Sequence, residues 1–253
     1  MLKKRLIGVI TVKDDWAVQS FGYKKFLPLG KVSVIAKNLN DWGADEIFIQ
    51  SIDRSKRDEG PDINLLKKLS SLSLSTPLTY AGGIRNSNDA TIAITHGCER
   101  IAVDALLHED SNNLEEISSK IGSQAIIASV PVQFIKEELS WFNYKKNVFK
   151  NDFEKLKNIC NKNLVSEIFL IDKVNEGYCN AFNKSILNSF PDIKKPIILF
   201  GGISEIEQIK FFFNHKKISS VAVGNFLNYK EHSIQLIKKE LKLADVRKPH
   251  FNC

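Results

Sequence analysis

The sequence lacks any long apolar run. No stretch of its 253 residues approaches the ~18 apolar residues that a membrane-spanning helix needs. The chain starts with basic residues between Met1 and Arg5, but only a short apolar segment follows before Lys13, which is not the pattern of a signal peptide. We therefore expect a cytoplasmic protein that does not enter a membrane.

Cysteine is also scarce. The four cysteines stand far apart, at Cys98, Cys160, Cys179 and Cys253. None forms a C-x-x-C pair, so the sequence encodes neither a local zinc site nor a dithiol redox motif. We expect free thiols, no bound metal and no cofactor.

The charge is positive, yet it is not concentrated in one block. The formal net charge is +7 and the sequence pI is about 9.1. Such a balance attracts polyanions, but the lysines are scattered over helical faces, which does not favour nucleic-acid binding. A phosphorylated small molecule or an acidic protein partner fits this charge better.

An internal repeat sets the architecture. Three short segments return in the same order 119 to 121 residues later. Glu46-Ile47-Phe48 returns as Glu167-Ile168-Phe169, Gly82-Gly83-Ile84 as Gly201-Gly202-Ile203, and Ala102-Val103 as Ala222-Val223. Repeats at a fixed spacing indicate that one structural unit has been duplicated. We therefore predict two related halves, over about 1–123 and 124–253.

Short apolar segments alternate with helical patterns through the whole chain. The predicted strands are Leu6–Val12, Glu46–Gln50, Leu78–Tyr80, Arg100–Val103, Ala125–Val130, Glu167–Ile171, Ile197–Phe200 and Ser220–Val223. The predicted helices are Val32–Trp42, Asn64–Leu72, Ser87–His96, Asn113–Ile121, Phe153–Asn161, Ile206–Asn214 and His232–Leu243. Buried strands that alternate with helices form parallel sheets. Eight units in two halves predict an α/β fold, a single (β/α)8 TIM barrel over 1–253.

Two connections between predicted elements are unusually long. One follows the first strand, over about 13–30, and the other follows the fifth strand, over about 132–152. Both follow the carboxyl ends of strands, where barrels of this class bind their ligands. The second contains Trp141 and Tyr144. It is either a surface for a substrate or partner, or a hairpin anchored by its aromatic residues.

The repeated Gly-Gly pairs predict two phosphate-binding turns. Glycine after a strand lets a phosphate approach the backbone at the positive end of a following helix. The loop after the next strand completes each site. The predicted phosphate-binding residues are Gly82, Gly83, Asp104 and Ala105 in the first half, and Gly201, Gly202, Gly224 and Asn225 in the second. The carboxylate of Asp104 disfavours the first site, and the glycines could equally serve only to make tight turns.

The chain resembles the cyclase subunit of imidazole glycerol phosphate synthase over nearly its whole length. The resemblance is carried by Lys4-Arg5-Leu6-Ile7, Val12-Lys13-Asp14, Gly43-Ala44-Asp45-Glu46, Gly82-Gly83-Ile84-Arg85, Gly122-Ser123-Gln124-Ala125 and Gly177-Tyr178. It implies a two-fold repeated barrel that holds a substrate with two phosphates. It also implies a glutaminase subunit on the amino-terminal face and passage of ammonia through the barrel.

The catalytic residues implied by the resemblance are missing. Thr11 and Pro131 stand where the family has two aspartates that act as general acid and base. Neither side chain can transfer protons at neutral pH. Asp14, Asp53 and Asp172 are the nearest candidate substitutes. The catalytic residues therefore remain unassigned, and it stays open whether the chain is itself an enzyme of the lyase or cyclase type.

A ring of charges implied by the resemblance is retained. Its positions in this chain are Arg5, Glu46, Arg100 and Glu167, each at the start of a predicted strand. In the family this ring gates the entry of ammonia. Alternatively, the four residues only stabilise one end of the barrel, because residues at that end commonly serve stability.

Three functions fit these observations. The leading hypothesis is a subunit that takes ammonia from a glutaminase to an acceptor outside histidine biosynthesis, such as a surface sugar modified by a sugar amidotransferase. The second is the cyclase subunit of histidine biosynthesis, with altered acid–base residues. The third is a scaffold that binds a phosphorylated ligand without catalysis.

Overall fold

The apolar segments of the sequence form a closed, twisted sheet. The computed structural model describes residues 3–109, 112–242 and 245–249. The strands are β1 (Arg5–Lys13), β2 (Trp16–Phe21), β3 (Lys25–Lys31), β4 (Glu46–Ser51), β5 (Leu78–Ala81), β6 (Arg100–Val103), β7 (Ile126–Ile135), β8 (Glu138–Asn143), β9 (Val148–Lys150), β10 (Glu167–Asp172), β11 (Ile197–Phe200) and β12 (Ile218–Val223).

Eight of these strands make a parallel barrel. They pair side by side in the order β1, β4, β5, β6, β7, β10, β11 and β12, and β12 returns to β1. The eight correspond to the eight predicted strands, so the (β/α)8 barrel is confirmed. Their burial on both faces explains why the sequence shows apolar runs without alternation.

Helices cover the outside of the barrel. They are α1 (Val32–Asp41), α2 (Ile63–Ser70), α3 (Ser87–Thr95), α4 (Asn112–Ile121), α5 (Phe153–Asn161), α6 (Ser185–Ser189), α7 (Ile206–Phe213) and α8 (Ser233–Leu241). The short helix α6 was not predicted, because five residues give too little periodicity. The last predicted helix ends at Leu243, and the predicted barrel domain ends at Cys253. Both of these positions lie outside the described residues.

The two long connections are β-hairpins that continue barrel strands. β1 runs on into an antiparallel pair with β2, and β2 pairs with β3. At the equivalent place in the second half, β7 runs on into β8, and β8 pairs with β9. The aromatic residues of the second hairpin anchor it, since Trp141 is fully buried and Phe142 is 5% exposed. A hairpin extension of the same kind therefore follows the first barrel strand of each predicted half.

The core has two parts. The larger part lies between the barrel and its helices, and the smaller part fills the barrel itself. Inside the barrel, the rings of Phe48 and Phe169 stack with centroids 4.3 Å apart, and Phe169 stacks on Phe200 at 5.4 Å. All three rings are buried. Side chains thus pack the barrel interior, as is usual for this fold.

Candidate functional site

Four charged side chains close the amino-terminal end of the barrel. Nη1 of Arg5 lies 3.2 Å from Glu46, and its Nη2 lies 2.6 Å from Glu167. Arg100 also forms ion pairs with both glutamates. The structure therefore brings together all four residues predicted for the ring, with positive and negative charges in alternation.

Further hydrogen bonds stabilise the two glutamates of the ring. Glu46 also accepts a hydrogen bond from Thr79, and Glu167 accepts one from Ser219 at 2.7 Å. Burial alone would raise the pKa of Glu167, but the charges and hydrogen bonds of Arg5 and Arg100 outweigh it and hold that pKa below its ordinary value. Buried charges are costly unless they are paired, and here each has two opposite partners.

A large basic concavity lies beside the ring on the same face and includes Arg5, Arg100 and Glu167 in its lining. Its volume is about 1020 Å³. Besides ring residues, its charged lining consists mainly of the cations Lys3, Lys4, Lys194, Lys195, Lys216, Lys217 and Arg247, with Asp245 as an anion. Such a surface attracts an acidic partner.

The carboxyl ends of the strands form the opposite end, the mouth. Both Gly-Gly pairs lie there with positive φ angles, +135° and +69° for Gly82 and Gly83, and +104° and +71° for Gly201 and Gly202. A Cβ atom on Gly82 would lie 2.5 Å from the Ser51 carbonyl oxygen, and one on Gly201 would lie 2.5 Å from that of Asp172. The turns therefore require glycine for backbone reasons in both halves. Their role in phosphate binding stays a prediction.

The loops beside the two turns differ. In the first half Asp104 follows β6, and in the second half Gly224 follows β12. The Asp104 side chain is 21% exposed, and burial raises the pKa of its carboxyl well above the ordinary value. A Cβ on Gly224 would meet the Phe200 ring at 3.4 Å and the Val9 carbonyl oxygen at 3.8 Å. The predicted phosphate residues are thus at the mouth, but the two sets present different chemistry.

A cavity of about 50 Å³ lies against the first turn. Its polar lining consists of Gln50, Ser51, Ser55, Asp104, Ser129 and Tyr144. No lysine or arginine occurs among the described residues that line it. Tyr23 closes the site from the first hairpin, because its hydroxyl donates to Oε1 of Gln50 at 3.1 Å and its ring meets Tyr144 edge-on at 5.7 Å.

A smaller cavity, of about 20 Å³, lies against the second turn between Gly177 and Gly224. Glu176 belongs to its lining, but hairpin donors satisfy the carboxylate. Oε2 accepts from the Ser20 hydroxyl at 2.7 Å and from the Tyr23 backbone N–H at 3.3 Å. Burial raises the pKa of Glu176 to about 7, against the opposing effect of these hydrogen bonds. Glu176 therefore holds the first hairpin over the mouth.

Thr11 and Pro131 both lie in paired strands. Thr11 pairs with Val18 where β1 continues into the first hairpin, and Pro131 pairs with Ile171 just before the second hairpin starts. The two positions that the resemblance assigns to acid and base thus carry no titratable group.

The three candidate substitutes are engaged elsewhere. Hydrogen bonds from Lys13 and Arg57 lower the pKa of Asp14 to about 2. Asp53 pairs with the same Arg57 at 3.2 Å. Asp172 accepts from the side chain of Asn175 and from the backbone N–H of Asn183, both at 2.8 Å. Their catalytic role stays a prediction. The low pKa of Asp14 makes it a poor proton donor at neutral pH, whereas burial raises the pKa of Asp172 above its ordinary value.

The structure also places residues at the mouth that the sequence did not single out. Tyr23, Gln50, His108 and Glu176 lie in or directly behind the two cavities. In the sequence, these residues stand out only by their position, because each lies at or after the end of a barrel strand or in a long connection. No group of His, Cys, Asp or Glu in the described residues could hold a metal ion, and no helix in that part of the chain could cross a membrane.

The chain is a (β/α)8 barrel with a charged ring at one end and two glycine turns at the other. The family model "Histidine biosynthesis protein" matches residues 5–233, and the chain belongs to this family. It is 28% identical to the imidazole glycerol phosphate synthase subunit HisF of Campylobacter concisus (strain 13826), over 96% of each chain. It is 26% identical to the protein of that name from Helicobacter hepaticus (strain ATCC 51449 / 3B1), over 95% of this chain and 96% of the relative.

Proposed function

We propose that this chain is the barrel subunit of a glutamine amidotransferase complex. It receives ammonia at its amino-terminal face and delivers it to an acceptor at the mouth. The observation that carries the proposal is the ring of Arg5, Glu46, Arg100 and Glu167. Each arginine bridges both glutamates, so one contact can open while the other still holds the charge. A ring built this way can open without leaving a buried charge unpaired.

The basic concavity supports a glutaminase partner on the same face. Its cations lie beside the ring, and Arg5, Arg100 and Glu167 belong to its lining, so an acidic partner seated there would cover the point where ammonia has to enter. Complementary charges speed the encounter of two proteins and fix their orientation. This placement puts the source of ammonia directly against the ring.

The stacked rings of Phe48 and Phe169 form a second barrier on the proposed route of ammonia through the barrel. Phe48 and Phe169 each stand two residues beyond a ring glutamate on the same strand, so their side chains point to the same interior and lie one layer above it. Their rings are in contact. Passage of ammonia therefore requires these rings to move, and we expect transit to be gated and to depend on occupation of the mouth.

The acceptor is proposed to lie outside histidine biosynthesis. Thr11 and Pro131 remove the acid–base pair that cyclisation needs, which leaves the barrel suited to channelling and docking. The acceptor would be a surface sugar, with a sugar amidotransferase as the enzyme that completes the reaction. A phosphorylated small molecule would bind at the second glycine turn, where Gly224 leaves the backbone accessible.

A second candidate function is the cyclase reaction of histidine biosynthesis. It is favoured by the similarity to named synthase subunits over almost the whole chain. In that case another group at the mouth replaces the missing aspartates. A third candidate, a phosphate-binding scaffold without ammonia chemistry, leaves the retained ring without a role beyond stability.

Ammonium chloride separates the first two candidates, because it bypasses any glutaminase. The purified chain is mixed with the histidine-pathway substrate and saturating ammonium chloride. The proposal expects no imidazole glycerol phosphate from the folded protein. Measurable product would establish the cyclase instead.

Docking separates both from the scaffold. The chain is titrated with a glutaminase subunit from the same genome, and complex formation and glutamine hydrolysis are measured. Charge reversal at Lys194 and Lys216 is expected to weaken the complex by about tenfold or more. The matched control reverses Lys25 and Lys146, which are exposed on the mouth hairpins, and should leave docking unchanged. Equal effects of the two pairs would contradict the proposed face.

A further inference from the structure

The first mouth cavity has, in or behind its lining, buried polar atoms that no described residue satisfies. Oδ1 of Asp104, Nε2 of His108 and the hydroxyl of Tyr144 are buried there without a hydrogen-bond partner. Buried polar groups in folded proteins are nearly always paired, and those left unpaired at a cavity commonly meet a ligand or an ordered water. The second cavity contrasts with it, because Oε2 of the acid there, Glu176, accepts two hydrogen bonds.

The Asp104 carboxyl group belongs to the cavity lining and lacks a partner at one oxygen. Oδ1 is buried and lies 3.9 Å from Nε2 of His108, which is too far for a hydrogen bond. The side chain as a whole is 21% exposed and belongs to the cavity lining. A ligand in the cavity would therefore meet the Asp104 carboxyl group.

His108 keeps the surroundings of Asp104 uncharged. Its side chain is 5% exposed, and its ring packs on Trp141 with centroids 4.0 Å apart. Burial lowers the pKa of His108 to about 4, so it does not supply a positive charge at neutral pH. With no cation near enough to pair with a carboxylate, burial favours the protonated carboxyl group of Asp104. A protonated carboxyl can donate a hydrogen bond as well as accept one.

This chemistry disfavours a phosphate. A phosphate in the cavity would meet no lysine or arginine in the described lining to offset the cost of burying its negative charge, and an ionised Asp104 would add repulsion. Hydroxyl and amide groups line the cavity instead, and about 50 Å³ is enough for a group of a few non-hydrogen atoms. Such a lining matches a neutral partner that both donates and accepts hydrogen bonds.

We propose that this cavity binds an uncharged hydrogen-bonding group of a ligand, an amide or a hydroxyl, held directly by the Asp104 carboxyl. His108 is a positioning residue behind Asp104. The first half-barrel has thus become a site for a neutral group. The inference does not depend on ammonia transfer or on a glutaminase, so it can fail independently of the proposed function.

The test uses the full chain and three probes: acetamide, glycerol and inorganic phosphate. Amide signals of Gly82, Gly83 and Ala105 are followed by two-dimensional NMR during each titration. We expect acetamide, glycerol or both to shift these signals, and the two titrations tell an amide from a hydroxyl ligand. We expect phosphate to leave these signals in place. The spectrum itself reports whether each sample is folded.

Two variants sharpen the test. Asp104→Gly copies the residue at position 224 of the second half, and we expect it to gain phosphate binding at the first turn by at least about tenfold. Asp104→Asn keeps a neutral hydrogen-bonding group of the same shape, and we expect it to keep the response to the neutral probe. Phosphate binding at the first turn of the unaltered protein, or no response to either neutral probe, would overturn the proposal.

Discussion

The two halves of the mouth share a backbone and differ in chemistry. In both, a glycine with positive φ packs against the carbonyl of the last residue of a strand, Ser51 in one half and Asp172 in the other. Beside the first turn stands Asp104 with an unpaired oxygen, whereas Gly224 stands beside the second. The duplicated fold has kept its turns because sterics demand glycine there, while the neighbouring side chain was free to change.

The ring at the other end differs, because its members depend on one another. Each half contributes one glutamate, whereas both arginines come from the first half, and every charge depends on partners from elements far apart in the sequence. Loss of a single member would leave the buried ring with an uncompensated net charge, so the ring is constrained as a unit. Residues are therefore constrained where their charges are coupled, and less so where one residue faces a cavity alone.

The largest expected effect tests the symmetry of the ring. Glu46→Gln and Glu167→Gln each leave two arginines short of a partner, so each should lower the free energy of unfolding by about 3 kcal/mol or more. Urea denaturation measures both. Glu207→Gln is the control, because Glu207 is 83% exposed in its pair with Lys210 and should have almost no effect. A large loss in one ring variant alone would show that the halves are not equivalent there.

The next effect concerns the acid of the second half. Burial raises the pKa of Glu176 to about 7 in the folded protein, above its ordinary value of 4.5. The folded state then holds the proton more tightly than the unfolded state, so stability is greatest below about pH 4.5 and falls as the pH rises through about 7. The total loss is about 3 kcal/mol.

Glu176→Gln should remove this slope, since glutamine does not titrate yet its oxygen can still accept from Ser20 and Tyr23. Urea denaturation at pH 5 and pH 8 measures the difference between variant and parent protein. An unchanged slope would mean that the carboxyl group ionises freely under the hairpin.

A smaller effect tests the shared backbone. Gly82→Ala and Gly201→Ala each place a Cβ atom 2.5 Å from a carbonyl oxygen at a positive φ, so each should cost about 2 kcal/mol of stability. Gly224→Ala is the control, since φ there is −108° and the nearest atoms to the Cβ lie at 3.4 Å or more. Thermal or urea unfolding measures all three. If only one of the two turns is sensitive, the steric account of the repeat is wrong.

The sequence was sufficient to predict the barrel. Strands that are buried on both faces give apolar runs, and a duplication gives matching segments. It also placed all four ring residues at one end, since each starts a strand. It could not give the pairing of Glu176 with the first hairpin, because Ser20 and Glu176 lie 156 residues apart. Nor could it show that Asp104 has an unpaired buried oxygen, which depends on how His108 and Trp141 pack behind it.

The smallest effect transfers the chemistry of the first half to the second. Gly224→Asp places a carboxyl group beside the second glycine turn, where Asp104 stands in the first. If the second turn binds phosphate, repulsion should weaken that binding by about tenfold, or about 1.4 kcal/mol. Titration with inorganic phosphate, followed at the amide signals of Gly201 and Gly202, measures the change. Gly224→Ala controls for the added Cβ, which has room beside Phe200. Equal phosphate affinity in the aspartate variant and the parent would show that this position does not face the anion, and the contrast between the halves would then rest on Asp104 alone.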